Sequence, residues 1–191
     1  MSDLFNKTRQ FVDEKFKDPA QMHHFDRTVH WLLQLRPNAD EALLIAAIGH
    51  DLERAFHGPD DSFNQGSIKF TDSETLKAHQ DKSAELLAAF LKENNADVQL
   101  ISRVKHLVSK HEVGGDEDQN LLMDTDSLSF LENNAPIFIS RIDKLGFDKI
   151  KGKFDMMFNR ISSPKVKDIG RPYYEKMLKD LETANKTYSR E

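Results

Sequence analysis

Residues 41–54, EALLIAAIGHDLER, are apolar around the whole helical circumference for about two turns and then present His50 and Asp51 side by side. A helix with no polar face has no surface to show water, so it belongs at the centre of the fold. An imidazole and a carboxylate left unpaired at its inner end would cost several kcal/mol, an order of magnitude from transfer free energies. A cation held by both removes that cost.

The other helical segments are amphipathic. Ser2 or Asp3 caps a first helix through Phe16, with Leu4, Phe5, Phe11, Val12 and Phe16 as its stripe. Pro19 suits the first position of a second helix that ends near Arg36-Pro37. Its stripe is Phe25, Val29, Leu32 and Leu33, flanked by His24, Arg27 and Trp31. On the exposed face, His30 is placed to pair with Asp26 at i, i+4. Asn38 or Asp40 caps the central helix. Residues 57–71 turn polar and rich in Gly, Pro and Asp, which predicts a long loop.

A fourth helix from Ser73 or Thr75 carries His79 and Ser83 in its apolar stripe. A fifth, after Asn94-Asn95, aligns Val104, Leu107, Val108 and His111 on one face. Gly114-Gly115 ends it, and residues 116–119 start a sixth in which both Asp124 and Asp126 half-face the core. Pro136 starts a helix bearing Arg141 and Lys144, Asp148 begins another through Ile161, and Pro172 opens the last. The expected architecture is all-α, a compact single-domain bundle of 191 residues with a metal site between central helices. Its core covers residues 20–147, and helices within 148–188 pack on it.

Composition narrows the chemistry. With no cysteine, a metal has to be held by nitrogen and oxygen, and the chain has eight histidines and a surplus of carboxylates. A net charge of -5 argues against a broad nucleic-acid surface, while local Lys and Arg leave room for a small anion. No stretch approaches the ~18 apolar residues of a membrane span. The first ten residues, MSDLFNKTRQ, lack the pattern of a secretory signal, so the expected compartment is the cytoplasm. A homo-oligomer is compatible with all of this.

Separate helices thus send His24, His50 with Asp51, His79, His111, and Asp124 or Asp126 toward one interior. That ordered set resembles the HD superfamily of metal-dependent phosphohydrolases. Its pattern is a histidine (His24 in HFDRTV), a later His-Asp doublet (His50-Asp51 after AAIG) and a distant Asp-x-Asp followed by leucine (Asp124-Thr125-Asp126-Ser127-Leu128). His79 with Ser83 is similar to the family's intermediate histidine motif, and residues 161–174, ISSPKVKDIGRPYY, to its closing region. Lys110-His111 stands where two-metal members often carry paired histidines, and Ser127 where many carry a basic residue.

The resemblance implies a divalent metal ion (Mn, Mg, Fe, Co, Ni or Zn) on His24, His50, Asp51 and Asp126, with His79 and His111 as ligands of a possible second ion. It implies hydrolysis of a small phosphate ester, such as a nucleotide or phosphorylated metabolite. Asp51 or Glu53 would orient the water and His79 would stabilise or protonate the leaving oxygen. Arg27, Lys82, Arg141 and Lys144 are candidate phosphate contacts, each with a solvated-surface role as the alternative. The rival function is a regulatory or ligand-binding domain that keeps the metal for stability.

Overall fold

The computed structural model describes residues 1–56 and 73–188, so the loop expected at 57–71 lies outside the described residues. At the centre is α3 (Glu41–Gly49), in which only Glu41 and Leu44 are less than fully buried. Asp40 caps it, accepting from Leu43 N–H at 2.9 Å. Around it pack α1 (Asp3–Phe16), α2 (Pro19–Leu35) and α5 (Val98–Val108), and α4 (Ser73–Glu93) closes over α5. Ser2, Asp18 and Asp97 cap α1, α2 and α5 through their side chains, each contributing about 1 kcal/mol.

Two helices stop sooner than their apolar periodicity suggests. The central helix does not run to Arg54: it ends at Gly49, and a 3-10 turn (Leu52–Phe56) follows. Helix α5 ends at Val108, so His111 lies in the turn beyond it. Consecutive residues of an α-helix point about 100° apart and cannot share a target. Ending the helix lets His50 and Asp51 face the same interior, and likewise His111 and Glu112.

Helix α6 (Glu117–Asn133) opens with a capping box between Asp116 and Gln119. It is buried continuously from Leu122 to Leu131 despite carrying Asp124, Thr125, Asp126, Ser127 and Ser129. The small hydroxyls turn onto backbone carbonyls, Thr125 to Leu122, Ser127 to Met123 and Ser129 to His24, so they need no water. That allows α2, α3, α5, α9 (Phe147–Asn159) and α10 (Pro164–Tyr188) to pack against α6.

The helix expected from Pro136 is broken into α7 (Ala135–Ile139) and α8 (Ile142–Leu145), with Arg141 at the break. There the Ser140 hydroxyl takes the Ile137 carbonyl and Arg141 N–H makes a tighter i to i+3 bond to Phe138. The last helix begins at Pro164, not Pro172. Pro172 sits inside it on the exposed face, where a proline costs about 3 kcal/mol. Burial of Val166, Gly170, Met177 and Leu181 offsets that cost. At Gly170 a Cβ would stand 3.2–3.3 Å from Leu128, Leu131 and Ile161, so the glycine sets how closely α10 approaches α6.

Two apolar clusters result. One joins α1 to α5 and ends on α6 at Leu122; the other joins α7 to α10 and begins on α6 at Leu128. The polar middle of α6 lies between them. No helix among the described residues is long and apolar enough to cross a membrane.

Candidate metal centre

Four imidazoles stand in a row at that seam, with ring centroids 5.8 Å apart for His24 and His50, 5.1 Å for His50 and His111, and 5.3 Å for His111 and His79. All four are buried. Each has its Nδ1 tied to an acceptor. His50 Nδ1 lies 3.0 Å from the Ala47 carbonyl, His111 Nδ1 2.8 Å from that of Val108, and His79 Nδ1 2.7 Å from Glu53 Oε2. Ser129 donates its hydroxyl proton to the His24 carbonyl at 2.7 Å, so its oxygen accepts from His24 Nδ1 at 2.8 Å. A carbonyl, a carboxylate or a committed hydroxyl can only accept, which puts the proton on every Nδ1 and leaves every neutral Nε2 with a lone pair.

Those lone pairs converge on two carboxylates. Asp126 Oδ1 is 3.1 Å from His24 Nε2 and 3.5 Å from His50 Nε2. Asp51 Oδ1 is 2.9 Å from His79 Nε2 and 3.3 Å from His111 Nε2, while its Oδ2 is 4.0 Å from His50 Nε2. Lone pairs facing carboxylate oxygens at such distances repel unless a proton or a cation lies between them. Among the described residues, the buried His50 Nε2 and His111 Nε2 have no hydrogen-bond partner. The donors therefore fit a metal ion, and they form two groups: His24, His50 and Asp126; and Asp51, His79, His111 and Glu112. Asp51 faces both.

Neighbouring elements hold these turns in place. From α4, Ser83 Oγ accepts the Glu53 N–H at 3.2 Å and Gln80 Oε1 accepts the Glu112 N–H at 3.0 Å. The pair His111-Glu112 thus repeats the form of His50-Asp51. In each, a histidine just beyond a helix end bonds back to the carbonyl three residues earlier, and a carboxylate follows.

Charge is dense here. Burial opposes ionisation of Asp51, but Arg54 and His50 hold its carboxyl well below the usual range. Burial likewise opposes a charge on His50, yet Asp126 and Asp51 raise it to about 9. On His79 the same contest between burial and the Asp51 and Glu53 hydrogen bonds ends above the ordinary value. For His111 burial wins and the pKa falls. Glu112 is brought to about 2 against burial, chiefly by Arg160, with Lys153 and Arg54 adding to it.

Of the two aspartates on α6, Asp126 enters the site. Asp124 instead accepts Ser162 N–H at 2.7 Å and Ser163 N–H at 3.1 Å, fastening the linker before α10. The proposed cation contacts scatter. Arg27 makes a two-pronged bond to Glu132, which also accepts from Trp31. Asp26 receives the Arg9 guanidinium on both oxygens, the place expected for His30. Lys82 and Lys144 are exposed, and Arg141 alone of the four candidates lines the cavity above the site.

That cavity, about 370 Å³, is walled by groups the sequence reading did not assign: Arg54, Glu112, Lys153 and Arg160. Arg160 bonds Glu112 and Asp126 and donates from Nε to Ser127 at 2.8 Å. The signal was present for two of them. Lys153, Met157 and Arg160 fall at i, i+4 and i+7, so Lys153 lies within the apolar stripe of α9 and Arg160, its C-cap, continues that stripe, where a purely structural helix would place aliphatics.

A family model matches residues 5–167. The chain belongs to DUF4202, a domain of unknown function. The DUF4202 match takes in both donor groups, Lys153 and Arg160, and ends in the first turn of α10. No curated protein and no solved structure matches the chain.

Proposed function

We propose that this DUF4202 protein is a metal-dependent phosphohydrolase of the HD type, acting on a small phosphate ester. One observation carries the reading: four buried imidazoles, each with its proton held on Nδ1, aim their Nε2 lone pairs at Asp51 and Asp126. A structural core histidine needs no such convergence. The donor set of imidazole and carboxylate suits Mn, Fe, Co, Ni or Zn better than Mg.

His24, His50, Asp51 and Asp126 would hold one ion, and Asp51, His79, His111 and Glu112 a second. A divalent cation bound there would polarise a phosphoryl oxygen and acidify water. The chain's own groups supply the rest. Asp51, kept ionised, accepts a hydrogen bond from the attacking water and orients it. With one ion bound, His79 is left to act as the acid: Glu53 Oε2 retains its Nδ1 proton, and the Nε2 proton passes to the leaving oxygen. With two, His79 is a ligand and Glu53 fixes its orientation.

The test is to strip the protein with chelator, reload it with Mn2+, Co2+, Ni2+, Zn2+ or Mg2+, and follow phosphate release from aryl phosphates and a nucleotide and metabolite panel beside Asp51→Ala. Turnover restored by metal and absent from D51A is expected. Stoichiometric metal binding without turnover on any substrate would leave a regulatory domain that keeps its ion for stability, and no metal binding would remove both readings.

A further inference from the structure

The cavity over the donor groups divides by depth. Among the described residues its wall carries the buried Lys153, Asp51, Asp126 and Glu112 with the partly buried Arg160 and Arg54, whereas its exposed charged residues are one of each sign, Asp18 and Arg141. Apolar side chains also line it as a collar: Phe16, Phe138, Leu145, the buried Met157 and the exposed Ile137. Arg160 has five N–H donors. Three go to Ser127, Glu112 and Asp126, and among the described residues no acceptor is bonded to the other two.

Resting on the hydrolase reading above, we propose that the cavity is a receptor for a compact phosphate monoester with an apolar body. The phosphoryl group is gripped at the floor by Arg160 and Lys153, and the organic group lies against the apolar collar. Three features favour this over a di- or triphosphate. A guanidinium fork and an ammonium suit the oxygens of one phosphoryl group. Among the described residues the exposed rim carries one cation, Arg141, and Arg54 is engaged by Asp51 and Glu112, so no cluster of cations awaits a second or third. A volume near 370 Å³ is also at the small end for ligand sites, which run from about 300 to 1,000 Å³. Arg160 in this assignment touches substrate, in addition to holding Asp126 by its Oδ2 while Oδ1 faces the histidines.

Calorimetry on the full chain separates the possibilities. Mn2+ is titrated first into the stripped protein, and then inorganic phosphate, phenyl phosphate and ADP into the Mn2+-loaded protein, for wild type, Arg160→Lys and Ile137→Glu. Phenyl phosphate is expected to bind about tenfold or more tightly than phosphate, because its ring leaves water for the collar, and ADP more weakly than phenyl phosphate. R160K is expected to weaken phosphate about tenfold or more through loss of the fork while Mn2+ affinity changes little. I137E, at the exposed rim, should abolish the preference for the phenyl ester and leave phosphate unchanged.

If R160K lowers Mn2+ affinity and spares phosphate, Arg160 only positions Asp126 and the proposal is overturned. ADP binding as tightly as phenyl phosphate to the wild type overturns it as well, without any variant having to fold. Failure of Mn2+ to bind the wild type overturns instead the hydrolase reading beneath it.

Discussion

The two halves of this molecule differ in what they bring to the seam on α6. The first apolar cluster, from α1 to α5, supplies all four histidines, Asp51 and Glu112. The second, from α7 to α10, supplies Lys153, Arg160 and most of the apolar collar, and contributes no donor to either metal-type group. On the hydrolase reading, one half would hold the cations and the other what a cation acts on. Asp126, on the helix common to both, faces His24 through one oxygen and Arg160 through the other. Under that proposal, the metal-type donors and the substrate contacts could change separately, as long as α6 keeps its place.

The sharpest way to break this division is Asp51→Ala, which removes the carboxylate that faces both donor groups. Turnover should fall by about a thousandfold or more, since a metal supplies several kcal/mol of transition-state stabilisation. Metal stoichiometry by elemental analysis should fall with it, while phosphate affinity at the α9 face should fall less.

Next in size is Phe154→Ala, which empties a fully buried position in the second cluster. A loss of about 3–5 kcal/mol is expected in urea unfolding. Trp31, the only tryptophan, packs against that second cluster and reports on it by fluorescence, while circular dichroism reports on both halves. Coincident transitions are expected because α6 spans both clusters. Two separate transitions would show that the halves fold independently.

A pH titration sharpens the first half alone. In the metal-free protein His50 is raised to about 9, so its protonation stabilises the fold below its ordinary value near 6.5. That contribution is lost as pH rises toward about 9. The melting temperature of chelated protein should decline across this window, and that of Mn2+-loaded protein should not. Since the ion displaces the same proton, Mn2+ affinity should rise by about tenfold per pH unit per proton released and level off near 9.

The smallest effect is expected from Asp116→Ala, which removes the capping box of α6 and touches no donor of either metal-type group. About 1 kcal/mol of stability should be lost, with metal and phosphate affinities unchanged. A change in either would mean that α6 transmits small shifts into the seam.

Local chemistry alone was enough to identify the first five helices and the inward histidines, but not the break at Arg141 or the start of the last helix at Pro164. Period-3.6 stripes, capping residues and an all-apolar segment depend on neighbours within a few positions, and that is why α1 to α5 and the inward turn of His24, His50, His79 and His111 can be read from the chain. Periodicity could not choose between Asp124 and Asp126, which both half-face the core. The choice comes from α10, whose linker takes Asp124 for its own N–H groups and leaves Asp126 for the histidines.

Nor could it show that Glu112 joins the site, that Arg27 is held by Glu132, or that Lys153 and Arg160 meet Asp51's neighbours across the seam. A charged side chain in an amphipathic helix is read as solvent-facing by default, and only the arrival of a distant helix turns it into part of a wall. Tertiary packing decided which charges were desolvated. Desolvation is what gives a buried cation or carboxylate chemical force.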